Sequence, residues 1–233
     1  VIDGDEIVVT GQKIWTSYGH VAQYQELLVR TDTDLPKHGG ITWMIADMEA
    51  PGVEVRTIRN MGGGDEFCEV FYDEARFPLA NVVGEINGGW NVTRATLGFE
   101  RGTAFTAMQI RLSRRVEVLI AEAAEATLPN GKRAIADDHI GYELARLRAE
   151  VRAMRAMTLL NMSRLLHHPQ PGPEGSMLKL YMSELSQRVN RLAMDVFGAA
   201  ALERGTQAGE WGSQFLISHA STIGGGPPES QRN

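Results

Sequence analysis

Two neighbouring side chains of opposite charge, Glu100 and Arg101, stand inside the largely apolar stretch "TLGFERGTA". Gly98 and Gly102 flank the pair, and a glycine in a helix interior costs about 1 kcal/mol relative to alanine. The two glycines therefore indicate that another group approaches the backbone closely at this point. The residues alone leave a second interpretation open, in which Glu100 and Arg101 lie on a solvated helix face.

An aromatic ring with hydroxyl groups beside it is the second candidate. In "GQKIWTSYG", Trp15 is followed by Thr16 and Ser17. An indole plane with adjacent hydroxyls suits packing against a flat heterocycle, although a tryptophan in a strand is more often part of the core. Both interpretations remain open at this point.

The glycine runs do not have the pattern of a phosphate-binding loop. "GGGDEF" and "TIGGGPPESQRN" both lack the lysine of a Walker loop, and "TIGGG" follows a helical stretch rather than a strand. Pro227 and Pro228 also remove two amide donors that an anion would need. Without further information, the second run is a helix terminator followed by a loose tail.

The positions of the histidines and of the cysteine indicate neither a metal-binding site nor a catalytic nucleophile. No histidine has the spacing of a metal ligand pair, and the pair His167 and His168 is placed to cap a helix end. Cys68 lies in a strand-like stretch and is expected to be a small buried apolar residue. We therefore predict no metal site.

Composition narrows the class of protein. A net charge of −6 argues against a nucleic-acid surface, and one cysteine among 233 residues fits a reduced, cytoplasmic setting. No apolar run is long enough for membrane insertion. The sequence begins without methionine, and we expect it to be a fragment.

Hydrophobic periodicity divides the chain into two domains, residues 1–83 and residues 84–233. The first contains five short segments rich in Val, Ile, Thr and aromatic residues with no helical stretch between them, which predicts an antiparallel β-barrel or sandwich. The second is helical. In one long helix, mostly apolar residues recur at steps of three and four and form a single stripe. They are Ile140, Leu144, Leu147, Val151, Met154, Thr158 and Met162.

Helices are predicted over 90–126, around that stripe, over 173–197 and over 209–221, in the manner of an up-and-down four-helix bundle. The fold class is therefore α+β.

Four segments, in the same order, resemble the acyl-CoA dehydrogenase family. "GQKIWTSYGHVAQYQELLVRTD" and the stretch from "ITWMIADM" to "GEINGGW" resemble its middle domain. "PEGSMLKLYMSELSQRVNRLAMDVFG" resembles a bundle helix, and "TIGGGPPESQRN" resembles the terminal signature. The most similar branch is the actinobacterial one, which includes enzymes of steroid side-chain catabolism. The family's N-terminal helical domain is missing.

The resemblance implies an FAD-dependent oxidoreductase that converts an acyl-CoA to a 2-enoyl-CoA. In many members the catalytic base is a glutamate in the terminal signature, but that place falls on Gly225. In another subset the base belongs to a Glu-Arg pair on the first bundle helix, which makes Glu100 the catalytic residue here. The base removes the α-proton while hydride leaves the β-carbon for flavin N5.

The same resemblance implies the binding residues. Trp15, Thr16 and Ser17 would contact the flavin ring, and Gly226 is also placed at the cofactor. Phe99, Arg101 and Gly225 are placed at the substrate. The remaining cofactor residues would contact FAD across a subunit interface, and they are Asp195, Val196, Phe197 and Gly198.

Three positions depart from the family pattern. Thr127 and Asn130 replace the Arg and Phe of a loop that grips FAD across the dimer, and Pro227 replaces a threonine of the terminal signature. The expected partners are a second chain of the same kind or a paralogue in a mixed tetramer, with an electron-transfer flavoprotein as electron acceptor. The alternative function is a non-catalytic subunit that completes the FAD site of another chain. An oxidase on the same fold is a third.

Overall fold

The computed structural model describes residues 1–100, 104–167 and 172–232, without the side chains of Phe99, Glu100 and Ala104. Internal contacts group the chain into two compact units, Val1–Leu97 and Gly98–Asn233. Each unit has its own hydrophobic core. We describe them here as the β unit and the helical unit.

The β unit contains two antiparallel sheets, which confirms the predicted fold class. Its strands are β1 (Ile2–Asp3), β2 (Glu6–Ser17), β3 (Tyr24–Arg30), β4 (Ile41–Asp47), β5 (Val53–Ile58) and β6 (Phe67–Pro78). One sheet has the order β1-β2-β6-β5, and the other pairs β3 with β4. Side chains from both sheets form one core, including Ile7, Leu27, Met44, Val70 and Phe77.

A β-bulge shifts the side-chain alternation along β6. Cys68, Val70 and Tyr72 are buried at every second position, but the next buried residue is Ala75. The additional residue lies between the pairs Val9–Ala75 and Gly11–Tyr72, where Glu74 has a φ of 48°. An inserted residue restores the inward phase of a strand after a twist, so both halves of β6 face the same core.

The helical unit contains α2 (Ala104–Glu125), α3 (Asp138–His167), α4 (Glu174–Phe197), α5 (Gln207–Ser218) and α6 (Pro228–Arg232), while α1 (Gly89–Glu100) spans the boundary between the two units. Consecutive helices from α2 to α5 pack against each other, and α2 also contacts α4. No helix in the described part of the chain is both long and apolar enough to cross a membrane.

The first residues of α1 pack on the β unit. A Cβ built at Gly89 would lie 2.5 Å from the backbone nitrogen of Trp43, so only glycine allows this approach. The ring of Trp90 stacks on His38 with centroids 4.1 Å apart. These contacts explain why the compact units divide inside α1. The division into residues 1–83 and 84–233 remains a prediction.

The stripe predicted on α3 is buried from Ile140 to Thr158. At its end the prediction is wrong, because Met162 is 38% exposed and Asn161 is buried instead. The buried residues continue the alternating steps of four and three that keep one side of a helix in line, so Asn161 follows Thr158, whereas the predicted stripe ended with a second step of four.

We expect Leu185→Ala to lower the free energy of unfolding by about 2–5 kcal/mol, because Leu185 is fully buried in the helical core and its truncation leaves a cavity. The matched control is Leu166→Ala at an exposed position of α3, with an expected change within about 0.5 kcal/mol. Urea unfolding followed by circular dichroism measures both. Equal effects of the two substitutions would contradict the assignment of the core.

Candidate functional site

Trp15 lies at a second bulge, on the surface of the β unit. The register between β2 and β6 shifts between Lys13 and Thr16, and Trp15 has a φ of 62°. Its side chain is 61% exposed and meets the edge of Phe67 at 6.1 Å between centroids. A left-handed backbone at a non-glycine residue is strained, and such residues cluster at functional sites. The structure therefore excludes the interpretation of Trp15 as a core residue.

Polar groups border the exposed indole. Thr16 is half-buried and Ser17 is exposed. Within the described residues neither hydroxyl has a hydrogen-bond partner. Tyr18 follows, with a φ of 54° and an exposed ring, and its amide donates to the carbonyl of Glu66 at 2.7 Å. This surface offers an apolar plane beside unpartnered hydroxyls, which fits a planar ligand with a polar edge.

The glycine run of the helical unit forms a loop that is fastened to α4. Gly225 and Gly226 have φ values of 69° and 103°, which only glycine adopts without strain. The Lys179 ammonium donates to the carbonyl of Thr222 at 3.3 Å and to that of Gly226. The loop is therefore neither loose nor a simple helix terminator. We call residues 222–227 the glycine loop.

Polar contacts on both sides of the glycine loop hold it to the same helix. The Gln187 amide donates to the Thr222 hydroxyl at 3.2 Å, and Arg232 of α6 pairs with Glu184 at 2.5 Å. Gln231 donates to the carbonyl of Gly225 at 2.9 Å. Sequence analysis missed Lys179. The available signal was a lysine in the otherwise apolar run "SMLKLYM".

The cofactor residues expected at the other end of α4 differ in exposure. Asp195 and Gly198 are exposed, and Gly198 ends the helix with a φ of 52°. A Cβ built at Gly198 meets no atom within 4 Å, so its backbone is open to a ligand. Phe197 stacks on Trp211 with centroids 6.4 Å apart. The Val196 side chain is buried in the helical core, which leaves its backbone for any contact.

The structure does not bring all expected cofactor residues of the helical unit together. Eighteen residues of helix separate Lys179, beneath the glycine loop, from Phe197. At 1.5 Å per residue this is about 27 Å. No single flat ring system spans that distance, so Gly226 and Gly198 of one chain cannot contact the same ring.

The structure does not describe the side chains of three residues that are expected at the catalytic site. Phe99 and Glu100 are the last residues of α1, and their side chains lie outside the described residues, as does Arg101 altogether. His168 also lies outside them. In the described part of the chain no three His, Cys, Asp or Glu side chains form a metal site.

Residues 127–133, where Thr127 and Asn130 replace the FAD-contacting Arg and Phe of the family, form a closed turn. Thr127 and Arg133 form a bridge, and Leu128 donates to Lys132 at 2.9 Å. Asn130 caps the turn by accepting from the amide of Lys132 at 3.0 Å. The Arg133 guanidinium is bound to the carbonyl of Glu125. The polar groups of this turn therefore bond to each other.

An open groove of about 820 Å³ runs between α2 and α3. Exposed apolar side chains line it together with three arginines, and the set includes Ile110, Val118, Leu159, Met162, Arg114, Arg152 and Arg155. The sequence prediction placed no site residue in this groove.

A charged cluster joins α3 to α4, the helix to which the glycine loop is fastened. Glu150 of α3 accepts from the Arg188 guanidinium at 2.7 Å and from the Tyr181 hydroxyl at 3.1 Å. Hydrogen bonds from Arg188, and more weakly from Tyr181 and Arg146, lower the pKa of Glu150 to about 2. This cluster fixes α4 against α3 close to the glycine loop.

Comparison with known proteins identifies the family. Residues 1–75 match the model of the acyl-CoA dehydrogenase middle domain, and residues 87–233 match that of the acyl-CoA dehydrogenase C-terminal domain. The two models cover both units in the order seen here, and the chain belongs to the acyl-CoA dehydrogenase family.

Two curated relatives and two solved structures illustrate the similarity. The chain is 37% identical over 234 residues to acyl-CoA dehydrogenase IpdE1 of Mycobacterium tuberculosis, covering all of this chain and 58% of the relative. For IpdE1 of Mycolicibacterium smegmatis the identity is 38% over 229 residues, covering 97% and 55%.

The structure of the Tcur3481-Tcur3483 steroid ACAD superposes with a TM-score of 0.87 at 31% identity, covering 99% of this chain and 59% of that chain. The ChsE4-ChsE5 complex from Mycobacterium tuberculosis gives 0.81 at 32% identity, covering 99% and 60%. The chain thus spans a little over half the length of the relatives it matches.

We expect Glu150→Gln to destabilise the protein at pH 7 and to lose this effect in acid. The pKa of Glu150 is lower in the folded protein than its ordinary value of 4.5. The carboxylate therefore contributes stability above about pH 4.5, and this contribution disappears as the pH falls toward 2. Urea unfolding of the wild type and the variant at a series of pH values measures the difference.

The control for that measurement is Glu117→Gln, which removes one side of the exposed Arg148–Glu117 pair. Such surface pairs contribute at most about 1 kcal/mol, so this variant should show a small effect. A Glu150→Gln difference that stays constant from pH 7 to pH 2 would contradict the assigned ionisation of Glu150.

Proposed function

We propose that this chain supplies the middle and C-terminal parts of an FAD-dependent acyl-CoA dehydrogenase that forms a 2-enoyl-CoA with Glu100 as its base. The assignment of the base rests on the glycine loop. Between Ile223 and Pro227 this loop has no side chain that can accept a proton. Its Gly225 has a left-handed backbone that a glutamate would adopt only with strain. The family membership supplies the reaction class.

Glu100 suits the role through its position and neighbours in the sequence. Phe99 and Gly98 precede it, and Arg101 and Gly102 follow it. A carboxylate in an apolar, water-poor site has a raised pKa and is a stronger base once ionised. Glu100 would take the α-proton of the thioester, and we assign Phe99, Arg101 and Gly225 to the substrate side of the same site.

The β unit offers a surface that fits the flavin ring. The exposed plane of Trp15 and the unpartnered hydroxyls of Thr16 and Ser17 would hold the ring and bond its polar edge. Bound FAD would supply the acceptor for the hydride that leaves the β-carbon. The residues of this chain would orient the flavin and the acyl-CoA substrate and exclude water from the site.

The length of α4 supports FAD binding across two chains, which the family resemblance implies. Because the glycine loop and the Asp195–Gly198 segment lie at opposite ends of this helix, one cofactor would meet the glycine loop of one chain and the helix end of another. This arrangement makes the cofactor site incomplete in a single chain.

The substrate class follows the relatives. Relatives described as steroid ACADs support a CoA thioester with a bulky acyl group, in fatty acid or steroid catabolism. An electron-transfer flavoprotein in the cytoplasm would reoxidise the cofactor.

Exposed apolar side chains support assembly with a second chain. Leu160 and Leu202 are 70% and 74% exposed, and Leu159 is exposed beside the groove of α2 and α3. Apolar surface of this kind is typical of a subunit interface. The related ChsE4-ChsE5 structure is a complex of two different chains. We therefore propose a homo-oligomer or a mixed tetramer with a paralogue.

A second candidate function is a non-catalytic subunit of such a mixed tetramer. The closed turn from Thr127 to Arg133 favours it, because the grip residues are replaced and the polar groups of the turn bond to each other. Pro227 has no amide proton or hydroxyl to offer the cofactor. Glu100 discriminates the two functions, because a purely structural subunit does not need a carboxylate there.

We expect Glu100→Gln to lower turnover by about 10²–10⁴-fold, the range for a lost general base, with an unchanged melting temperature. The assay uses the full-length, FAD-loaded complex and follows anaerobic bleaching of its flavin by a panel of saturated acyl-CoA thioesters, from short straight chains to steroid side-chain esters. The matched control is Glu49→Gln, an exposed glutamate of the β unit. If Glu100→Gln bleached the flavin at the wild-type rate, Glu100 would not be the base.

We expect this chain, when expressed alone, to purify with little flavin and as aggregates. Co-expression with a paralogous subunit should restore both flavin absorbance and a single oligomer, because the partner would complete the cofactor site and cover the apolar surface. Absorbance spectra and light scattering after size exclusion measure the two properties. A monodisperse monomer of 25.6 kDa with stoichiometric FAD would contradict the proposal.

A further inference from the structure

The groove between α2 and α3 presents apolar side chains to solvent. Ile110 and Val118 of α2 are 51% and 48% exposed, and Leu159 of α3 is 56% exposed. Apolar side chains that lie together in a concave surface are typical of an interaction site, because their contact with water is unfavourable. No step of the proposed reaction uses this groove.

The polar groups on the floor of the groove bond within the two helices. The Gln109 amide donates to the Ser113 hydroxyl at 2.7 Å, and the Thr158 hydroxyl donates to the carbonyl of Met154 at 2.9 Å. Gln109 and Thr158 are 4% and 3% exposed. Because these groups already have partners, the floor suits apolar side chains better than a small polar ligand.

Three arginines along the groove have no partner of opposite charge. Arg114 of α2 and Arg152 and Arg155 of α3 line it and are exposed, and among the residues that the structure describes no carboxylate pairs with any of them. The carboxylate of Glu117 also lines the groove, but it is bound to Arg148 at 2.8 Å. The groove is therefore cationic, although the net charge of the chain is −6.

A helix has the shape and the length that the groove accepts. The lining extends along α2 from Thr106 to Ala121, which is about 22 Å at 1.5 Å per residue. An α-helix of about four turns has this length, and its apolar ridge would pack into the groove between two other helices. The arginines along the groove would then meet carboxylates that flank the apolar face of that helix.

Charge argues against a second copy of this chain as the occupant. A twofold contact brings the same surface patch of both subunits together. At this groove it would place the cationic patch of one protomer against that of its partner, and like charges across an interface repel each other. A helix of a different chain, with carboxylates at the matching positions, replaces this repulsion by attraction.

We propose that the groove between α2 and α3 binds an amphipathic helix of a paralogous subunit. Its apolar face would enter the groove, and Asp or Glu residues on its flanks would pair with Arg114, Arg152 and Arg155. The inference rests on the proposed mixed tetramer for the identity of the partner, and it is independent of the dehydrogenase reaction. Through this groove the chain selects a different subunit over a copy of itself.

The first test identifies the occupant by photo-cross-linking in the complex with a paralogous subunit. Benzoylphenylalanine replaces Leu159 in the groove or, as a control, Leu202, which is 74% exposed outside the groove. We expect the probe at Leu159 to cross-link to a carboxylate-bearing helix of the paralogue, and the probe at Leu202 not to reach that helix. Peptide mass spectrometry reads both results.

Other results of the cross-linking would overturn the proposal. A cross-link from Leu159 to a second copy of this chain would show that the groove is a contact between identical subunits. A cross-link within the same polypeptide would show that the chain covers its own groove. A groove that cross-links to nothing, or a wild-type chain that forms no complex with a paralogous subunit, would also refute it.

The second test reverses the charges with Arg152→Glu combined with Arg155→Glu. We expect association with the paralogue to weaken by about 100-fold, because attraction becomes repulsion. The matched control is Arg111→Glu, at an exposed position of α2 outside the groove, with an expected change below about 2-fold. Light scattering during dilution measures dissociation. Higher salt should weaken the wild-type complex, and Lys in place of the facing carboxylates of the paralogue should restore the affinity of the double variant.

The outcomes separate this inference from the proposed reaction. Equal affinity of the double variant and the wild type would refute the role of the arginines, whatever the complex does with flavin. A complex that depends on Arg152 and Arg155 but is bleached by no acyl-CoA would count against the dehydrogenase function alone. Should the double variant fail to fold, Arg152→Gln with Arg155→Gln removes the charges without reversing them and should weaken association by about 10-fold.

Discussion

The packing of α4 is the constraint on which the helical unit depends. One face of this helix buries Leu178, Leu185, Val189 and Leu192 in the core that α2, α3 and α5 share. Burial of a leucine side chain contributes about 1.5–3 kcal/mol, so this face fixes the rotation of α4 about its axis. With that rotation, the ammonium of Lys179 contacts carbonyls of the segment that follows α5. The orientation of the glycine loop is therefore a consequence of core packing.

The β unit depends on a different constraint, the pairing of β2 with β6. Two bulges interrupt this pairing, one at Glu74 and one near Trp15. The first keeps the inner face of β6 in phase with the core. The second turns an indole, which would otherwise be expected inside, out to the surface. The bulge at Trp15 requires a strained backbone and exposes an apolar ring, and a ligand bound to that ring would offset both.

Much of this architecture was predictable from local patterns. Alternation of apolar residues identified five strands, and steps of three and four identified the stripe on α3, because burial of one face imposes those periods. The family resemblance added the reaction class, which no periodicity contains. Prediction failed at Met162, because the alternation of steps of four and three leads from Thr158 to the polar Asn161, which an apolar pattern does not mark as buried. It also left Lys179 unnoticed, because nothing in its neighbours along the chain shows which carbonyls lie above it.

The sequence by itself determined the fold class, the order of the elements and the absence of a proton-accepting side chain from the glycine loop, since these follow from composition, period and residue identity. Only the tertiary structure decided that Trp15 is exposed and that the glycine loop is fastened to α4. The physical reason is that these properties depend on contacts between residues far apart in the chain, such as Lys179 with Gly226, which are 47 positions apart. Such contacts depend on how buried faces fit together, and no local pattern records that fit.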